Sequence, residues 1–311
     1  MSLLYYDPIF LEHDTGEHPE NASRLRAVID RLQKSDLWRK LQQPTWQAAG
    51  RPQLIRVHSE QAIDSIREAA ASGGGQIEQD TVVSDRSFDA ACRASGAACD
   101  AVTRVLRGEA KTAMCLVRPP GHHALHSGPM GFCLFNHVAV AALHAIENHS
   151  LDRVMIVDWD VHHGNGTQAT FWDDPRVAFL SMHRFPFYPG SGAADETGTG
   201  AGAGFTVNLP IEYGTPVKQQ LSRFRHGVEK LADKIKPQLI LISAGFDSHY
   251  KDPIGSLQLE SEDFGTLTEI VQQTAALHCE GRLVSLLEGG YHPAALAESV
   301  EYHLRTLSAV S

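Results

Sequence analysis

Short apolar runs alternate with longer amphipathic stretches along most of the chain. The apolar runs have the length of single buried strands and cover residues 114–117, 154–157, 177–180, 205–209, 239–242 and 283–287. The stretches with helical spacing cover residues 136–148, 217–235, 264–279 and 294–307. Strands that alternate with helices predict a parallel sheet with helices on both faces.

The N-terminal third adds a less regular set of elements. Residues 3–6 could form an edge strand, and the polar segment 7–20 predicts a loop. Helices are predicted from a cap at Asn21 or Ser23 to residue 34, over 60–71 and over 88–106. Two glycine-rich loops are predicted at 73–75 and 189–204, and the second lacks the context of a dinucleotide-binding GxGxxG motif.

Polar residues collect directly after five of the predicted strands. These clusters cover residues 118–123, 158–163, 181–183, 243–247 and 288–291. Because ligands of open α/β sheets bind beyond the carboxyl ends of the strands, we expect the five clusters to line one crevice.

The densest cluster predicts a divalent metal site. If the strand continues past residue 157, then Asp158, Asp160 and His162 share one face, because strand side chains alternate. Carboxylates and imidazoles are ordinary metal ligands. Their burial beside an apolar strand is costly without a cation. The alternative interpretation is a polar turn that caps a core strand. One such motif supplies at most two good ligands, so the metal hypothesis needs a third from elsewhere.

Composition narrows the class of protein. The 311 residues are 42% hydrophobic and carry a formal net charge of −10, which argues against nucleic acid as a partner. The five cysteines include no CxxC pair, and this favours a reducing compartment. The N-terminus lacks a signal-peptide pattern, and no apolar stretch approaches roughly 18 residues. We therefore expect a cytoplasmic protein with no membrane partner.

Five motifs occur together along the chain: RPPGHH (118–123), GFCLFN (131–136), DWDVHHGNGTQ (158–168), SAGFD (243–247) and EGGY (288–291). They resemble the zinc-dependent histone deacetylase family, most closely its class II and bacterial histone deacetylase-like amidohydrolase branch. The resemblance extends from His18 to Ser299. It implies an α/β arginase–deacetylase fold, with residues 1–311 as one catalytic domain around a parallel sheet of about eight strands.

The resemblance also implies the metal ligands, namely Asp160, His162 and Asp247. Three protein ligands and an open position are typical of a catalytic zinc site. Fe²⁺ is a second possibility for an oxygen-rich site. For Asp247 the alternative interpretation is a turn or helix-cap residue.

Five further residues match the family's catalytic positions. His123 corresponds to the general base and acid, and His122 to its electrostatic partner. Asp158 matches the residue that pairs with His122. Asn165 matches the residue that faces His123, where the family's other branch has aspartate, so we expect a less basic His123. Tyr291, after two glycines, corresponds to the hydroxyl that stabilises an oxyanion.

Further matches concern the substrate channel and a second ion. Phe132 and Tyr188 resemble the two walls of an aromatic channel for a lysine side chain, and Gly131 fits that wall. Asp80 has a spacing similar to that of a loop aspartate that binds the substrate backbone. The matches to a structural K⁺ site are Asp158, Asp160, His162, Ser181 and Met182.

The implied reaction is the hydrolysis of an N-acetyl amine to acetate and a free amine. An acetylated protein, a peptide or a small acetamide would each fit, as would a longer acyl group. An acetylpolyamine is the nearest alternative, but Ile254 stands where that branch has a glutamate. A non-catalytic acyl-lysine binder is a further alternative. A binuclear manganese hydrolase is disfavoured, because Trp159 and Ser248-His249 replace the additional aspartates. No feature of the sequence indicates an oligomeric state.

Overall fold

The computed structural model describes residues 2–309 of the protein. Strands are formed by β1 (Ser2–Tyr5), β2 (Gly75–Glu78), β3 (Thr81–Val83), β4 (Thr112–Cys115), β5 (Val154–Asp158), β6 (Val177–Arg184), β7 (Thr206–Ile211), β8 (Leu239–Ala244) and β9 (Leu283–Leu287). Helices are formed by α1 (Ala22–Lys34), α2 (Leu37–Lys40), α3 (Arg51–Leu54), α4 (Glu60–Ala71), α5 (Ser87–Leu106), α6 (His137–His149), α7 (Asn165–Thr170), α8 (Val217–Ile235), α9 (Ser261–His278) and α10 (Pro293–Ser308). None of these helices is long and apolar enough to cross a membrane.

Seven strands form one parallel sheet in the order β1-β4-β9-β8-β5-β6-β7. The central strands are buried on both faces, as their continuous apolar sequences predict. Helices α1, α8, α9 and α10 pack as one group, and α5 packs on α6. The predicted α/β class and parallel sheet are confirmed, and among residues 2–309 this sheet has seven strands against the expectation of about eight.

Most predicted elements lie within a few residues of the observed ones. Asn21, not Ser23, caps α1, since its side chain accepts a hydrogen bond from the amide of Ser23. Strand β4 begins two residues before the predicted run 114–117. Strand β6 continues to Arg184, so the prediction that residues 181–183 follow this strand was wrong. Strand β6 is longer than predicted because β7 pairs with it as far as Arg184.

A small hairpin of β2 and β3 follows the three glycines and was not predicted. Its strands are short, and its only sequence signal is a β-branched Thr-Val-Val after the turn. The hairpin holds Asp80 at its turn, which is how this residue reaches the site described below.

Four buried ionisable residues fasten the N-terminal loop to the sheet. The carboxylate of Glu20 accepts hydrogen bonds from Arg24 Nη1 at 2.7 Å and from Arg118 Nε and Nη2 at 2.6 and 2.8 Å. His13 Nε2 lies 3.5 Å from the same carboxylate. All four side chains are about 1% exposed or less. Burial opposes ionisation of Glu20, but Arg118, His13 and Arg24 hold its pKa well below its ordinary value.

This cluster predicts a large loss of stability for Glu20→Gln. Two arginines would remain buried with no carboxylate, a change that costs about 3–5 kcal/mol of unfolding free energy in buried ion pairs. Because the folded-state pKa is lowered, this contribution is complete above pH 4.5 and disappears only as the pH falls through the folded pKa. Urea unfolding at several pH values measures it. Glu17→Gln, an exposed position on the same loop, is the control, and an equal effect of both variants would contradict the prediction.

Candidate active site

The candidate site residues lie at one edge of the sheet, at the ends of four neighbouring strands. The carboxyl ends of β4, β9, β8 and β5 lead into residues 118–123, 288–291, 245–247 and 158–163 respectively. Asp158 on β5 is paired with Ser243 on β8, so the chain segments beyond both residues emerge side by side. The predicted crevice is therefore built from four of the five clusters.

Asp160, His162 and Asp247 converge at this edge with the geometry of a metal site. One ligand atom from each lies within 4.8 Å of the others, and all three side chains are buried. His162 Nδ1 lies 3.0 Å from Asp160 Oδ1 and 3.3 Å from Asp247 Oδ2. Main-chain amides occupy the other carboxylate oxygens: Gly289 donates to Asp160 Oδ2, and Val161 donates to Asp247 Oδ1.

One atom of this cluster indicates what the site would hold. Asp247 Oδ2 is buried and has no hydrogen-bond partner. Burial, and then the charge of Asp160, raises the pKa of Asp247 to about 7. Two carboxylates this close in a dry site are stabilised together by a cation, and two oxygens with one imidazole nitrogen suit Zn²⁺ or Fe²⁺. The residues present therefore fit a divalent metal ion.

His122 is held by a buried carboxylate. Its Nδ1–H donates to Asp158 Oδ2 at 2.9 Å, and Asp158 Oδ1 in turn accepts from the amide of Asp160. Burial opposes charge on this ring, but Asp158 and Asp160 raise the pKa of His122 to about 10. The partners of His122 therefore favour its imidazolium form.

The pKa of His123 is shifted in the opposite direction, and its hydrogen-bond partner is uncharged. Its Nδ1 lies 2.6 Å from Asn165 Oδ1, and Asn165 Nδ2 donates to Met130 Sδ at 3.3 Å. Because the amide oxygen can only accept, the proton of His123 resides on Nδ1 and Nε2 keeps its lone pair. Burial, together with the charges of His122 and His162, lowers the pKa of His123 well below its ordinary value. The pKa values of the two adjacent histidines are thus shifted in opposite directions.

Tyr291 follows a turn whose main-chain carbonyls accept several hydrogen bonds. Arg24, on α1, donates from Nη2 to the carbonyl of Glu288 at 2.6 Å and from Nε to that of Gly290 at 2.5 Å. Its guanidinium carbon lies 4.9 Å from the centroid of the Tyr291 ring. At Gly289 a Cβ would approach Asp247 Oδ2 to 2.1 Å, so this turn accepts only glycine there. Burial, and then Asp247, raises the pKa of Tyr291 well above its ordinary value, so the phenol stays protonated.

A narrow channel of about 220 Å³ leads to these groups. The residues that line it are Asp80, His123, Gly131, Phe132, His162, Phe187, Tyr188, Ile254 and Tyr291. All five residues expected at the substrate channel are in this group. Its walls are mainly aromatic and aliphatic, while its inner end presents an imidazole, a metal-ligand cluster and a phenol. This arrangement suits an extended apolar chain that ends in a polar reacting group.

Two consecutive residues of the wall adopt left-handed backbone conformations. Gly131 has a φ of +56° and Phe132 a φ of 69°. Gly131 N–H donates to Asp80 Oδ1, and Phe132 N–H donates to Thr81 Oγ1, both at 3.1 Å. The hairpin therefore fixes the main chain of this channel wall. Asp80 contacts Gly131 directly, and Gly131 lies against the imidazole of His123.

The residues expected to hold K⁺ are also close together. Asp158 on β5 pairs with Ser181 on β6, and Met182 is the next residue of that strand. All are buried. Their role as ion ligands remains a prediction.

Several residues at the site were not assigned a role from the sequence. Phe187 stacks on His162 with an interplanar angle of 17°, and its position beside Tyr188 was the available signal. Glu288 accepts hydrogen bonds from the amides of Gly121 and His122. Arg24 could have been found as an arginine on the apolar face of α1, four residues after Glu20.

A buried Asp–His–Asp cluster beside two histidines with opposite pKa shifts, and a phenol at the end of a channel, is the arrangement expected of a metal-dependent hydrolase. The family model described as "Histone deacetylase domain" matches residues 18–307. The chain belongs to this family, and its resemblance to deacetylases and amidohydrolases is confirmed.

Individual relatives agree with this assignment. The chain is 40% identical over 322 residues to human "Polyamine deacetylase HDAC10", covering 98% of this chain and 48% of that protein. It is 37% identical over 282 residues to "Histone deacetylase-like amidohydrolase" of Pseudomonas aeruginosa, covering 90% of this chain and 73% of that protein. The solved structure "Crystal Structure of HDA15 HD domain" superposes with a TM-score of 0.93 and 34% identity, over 99% of this chain and 91% of that chain.

The contact between Gly131 and His123 gives a test of the site. In Gly131→Ala the new Cβ would lie 2.4 Å from His123 Cδ2 at a backbone conformation that disfavours alanine. We expect turnover to fall about 10²-fold, because the imidazole must move by up to about 1 Å. Metal content, measured by elemental analysis, should not change. Gly190→Ala is the matched control, since Gly190 also has a positive φ but open space around it. Full activity of Gly131→Ala would contradict this geometry.

Proposed function

We propose that the protein hydrolyses the amide of acetyl-lysine side chains, with acetate and a free amine as products. The observation that best supports this proposal is that one channel is lined by Phe132, Tyr188, His123, His162 and Tyr291. It joins an apolar passage suited to a lysine methylene chain to the groups that amide hydrolysis requires. An acetylated protein, a peptide or a small acetamide would each present such a chain.

Asp160, His162 and Asp247 would hold the metal ion. A bound Zn²⁺ would polarise the substrate carbonyl and lower the pKa of a water molecule. The free lone pair of His123 Nε2 can accept the proton of that water as its oxygen bonds to the carbonyl carbon. Asn165 keeps His123 in this tautomer, and the imidazolium of His122 supplies positive charge beside it.

Tyr291 and His123 complete the reaction. The protonated phenol of Tyr291 can donate a hydrogen bond to the oxygen on which negative charge develops. When the carbon–nitrogen bond breaks, the proton held on His123 Nε2 passes to the leaving amine. The carbon–oxygen bond formed first remains in the carboxylate product, so the sum is water plus amide giving acid plus amine.

Two further assignments belong to this proposal. A structural K⁺ would be held behind the reaction centre by Asp158, Asp160, His162, Ser181 and Met182. The pairing of β5 with β6 supports this assignment. A cytoplasmic location is supported by five cysteines that are all free and buried. Neither assignment is needed for the chemistry.

Hydrolysis of an Nε-acetyl-lysine peptide by the zinc-loaded protein tests the proposal. We expect turnover that a chelator abolishes and added zinc restores. Tyr291→Phe should retain metal but lose about 10²–10³ in kcat, the cost of one oxyanion donor. His123→Ala should lose nearly all turnover. Unchanged kcat in either variant would refute the role assigned to that residue, and peptide binding without turnover by the wild-type protein would favour a binding function.

An acetylated polyamine is the second candidate substrate, because the human polyamine deacetylase is 40% identical to this chain. The channel wall argues against it, since Ile254 offers no charge to a cationic chain. We expect Ile254→Glu to raise kcat/KM for N-acetylated spermidine relative to the lysine peptide by up to about fivefold, the effect of one partly exposed ion pair of up to about 1 kcal/mol. Ile254→Gln is the uncharged control. A wild-type preference for the polyamine would contradict the lysine assignment.

A further inference from the structure

Asp252 connects the wall of the channel to the segment that carries Tyr291. Its Oδ1 accepts hydrogen bonds from the amides of Ile254 and Gly255 at 2.9 and 3.0 Å. Its Oδ2 accepts from the amide of Tyr291 at 2.6 Å. The side chain is 9% exposed, so these bonds form in a largely dry environment. One carboxylate therefore holds a wall residue and the proposed oxyanion donor together.

Two other amides of this turn, those of Glu288 and Gly289, have partners that belong to the sheet or to the metal site. Glu288 N–H donates to the carbonyl of Ala244, and Gly289 N–H donates to Asp160. The carbonyl of Gly289 accepts from the amide of Phe246. These bonds fix the turn up to its glycines. Beyond Gly290, which has a φ of +119°, the main chain at Tyr291 is held by the bond from its amide to Asp252 and by Arg24 at the preceding carbonyl.

We propose that Asp252 is a positioning residue that sets the hydroxyl of Tyr291 against the reacting carbonyl and couples this position to the wall at Ile254. The inference rests on the proposed amide hydrolysis. Asp252 acts through the main chain of Tyr291 and does not touch the substrate. A charge-assisted bond of 2.6 Å to a buried amide is strong enough to select one backbone conformation after a glycine.

Asp252→Asn separates the two functions of the carboxylate. The amide oxygen of asparagine can still accept from Ile254 and Gly255, which preserves the turn. The NH₂ group then faces the N–H of Tyr291, so two donors oppose each other. Asp252→Ser is a second variant, because its hydroxyl can cap the turn but is too short to reach Tyr291.

The experiment is a double-mutant cycle on kcat for the acetyl-lysine peptide, with Asp252→Asn, Tyr291→Phe and the double variant. We expect Asp252→Asn to lower kcat about 10- to 100-fold, as a small misplacement of a catalytic group does. KM and zinc content should stay within about threefold of the wild type. The double variant should be no slower than Tyr291→Phe alone, because Asp252 would act only through the lost hydroxyl. Asp252→Ser should repeat this result.

Asp263→Asn is the matched control, since Asp263 also accepts a main-chain N–H at 2.8 Å but caps α9 away from the channel. Its kcat should equal that of the wild type. Unchanged kcat in Asp252→Asn, or multiplication of its effect with that of Tyr291→Phe, would overturn the inference. Loss of metal or fold in both Asp252 variants would assign Asp252 a purely structural role and overturn it as well. An inactive wild-type protein would instead reject the proposed function.

Discussion

Two carboxylates buried side by side are the constraint on which the rest of the site depends. The pairing of β5 with β8 brings the segments of Asp160 and Asp247 together, and the sheet excludes water from both. Like charges in such a place repel each other, and desolvation adds to the cost. A cation and donated main-chain amides are what can stabilise them. The amides of Val161, His162 and Gly289 supply part of that stabilisation.

In the low dielectric of this buried site, neighbouring side chains differ in the protonation state that their partners favour. His122 and His123 are adjacent in sequence and equally buried, yet one has a carboxylate partner and the other a neutral amide. The carboxylate favours an imidazolium, while the amide leaves an imidazole with a free lone pair. The hydrogen-bond partners Asp158 and Asn165 therefore account for the difference between the two histidines. One favours the charged form of His122, and the other leaves His123 able to exchange a proton.

Local patterns were sufficient for most of the fold, and the resemblance to a known family supplied the candidate metal ligands. The apolar runs predicted six of the seven sheet strands, and residues 3–6 predicted the edge strand β1. The groups contributed by Asp160, His162 and Asp247 lie together as expected, although their role as ligands is still a prediction. The boundary of β6 could not be read locally, because β7 extends it through pairing. The contacts of Arg24 and Asp252 were also inaccessible, since each joins segments that are far apart in the sequence.

The position of β9 in the sheet has a consequence for the order of folding. This strand is the last of the sheet along the chain, yet it lies between β4 and β8. Until it is synthesised, the sheet consists of two unconnected parts, β1 with β4 and β8 with β5, β6 and β7. Bridging strands of such large sequence separation requires closure of long loops. A nascent chain can therefore assemble this site only after β9 has been synthesised, when β9 joins the two parts and the turn with Tyr291 follows it into place.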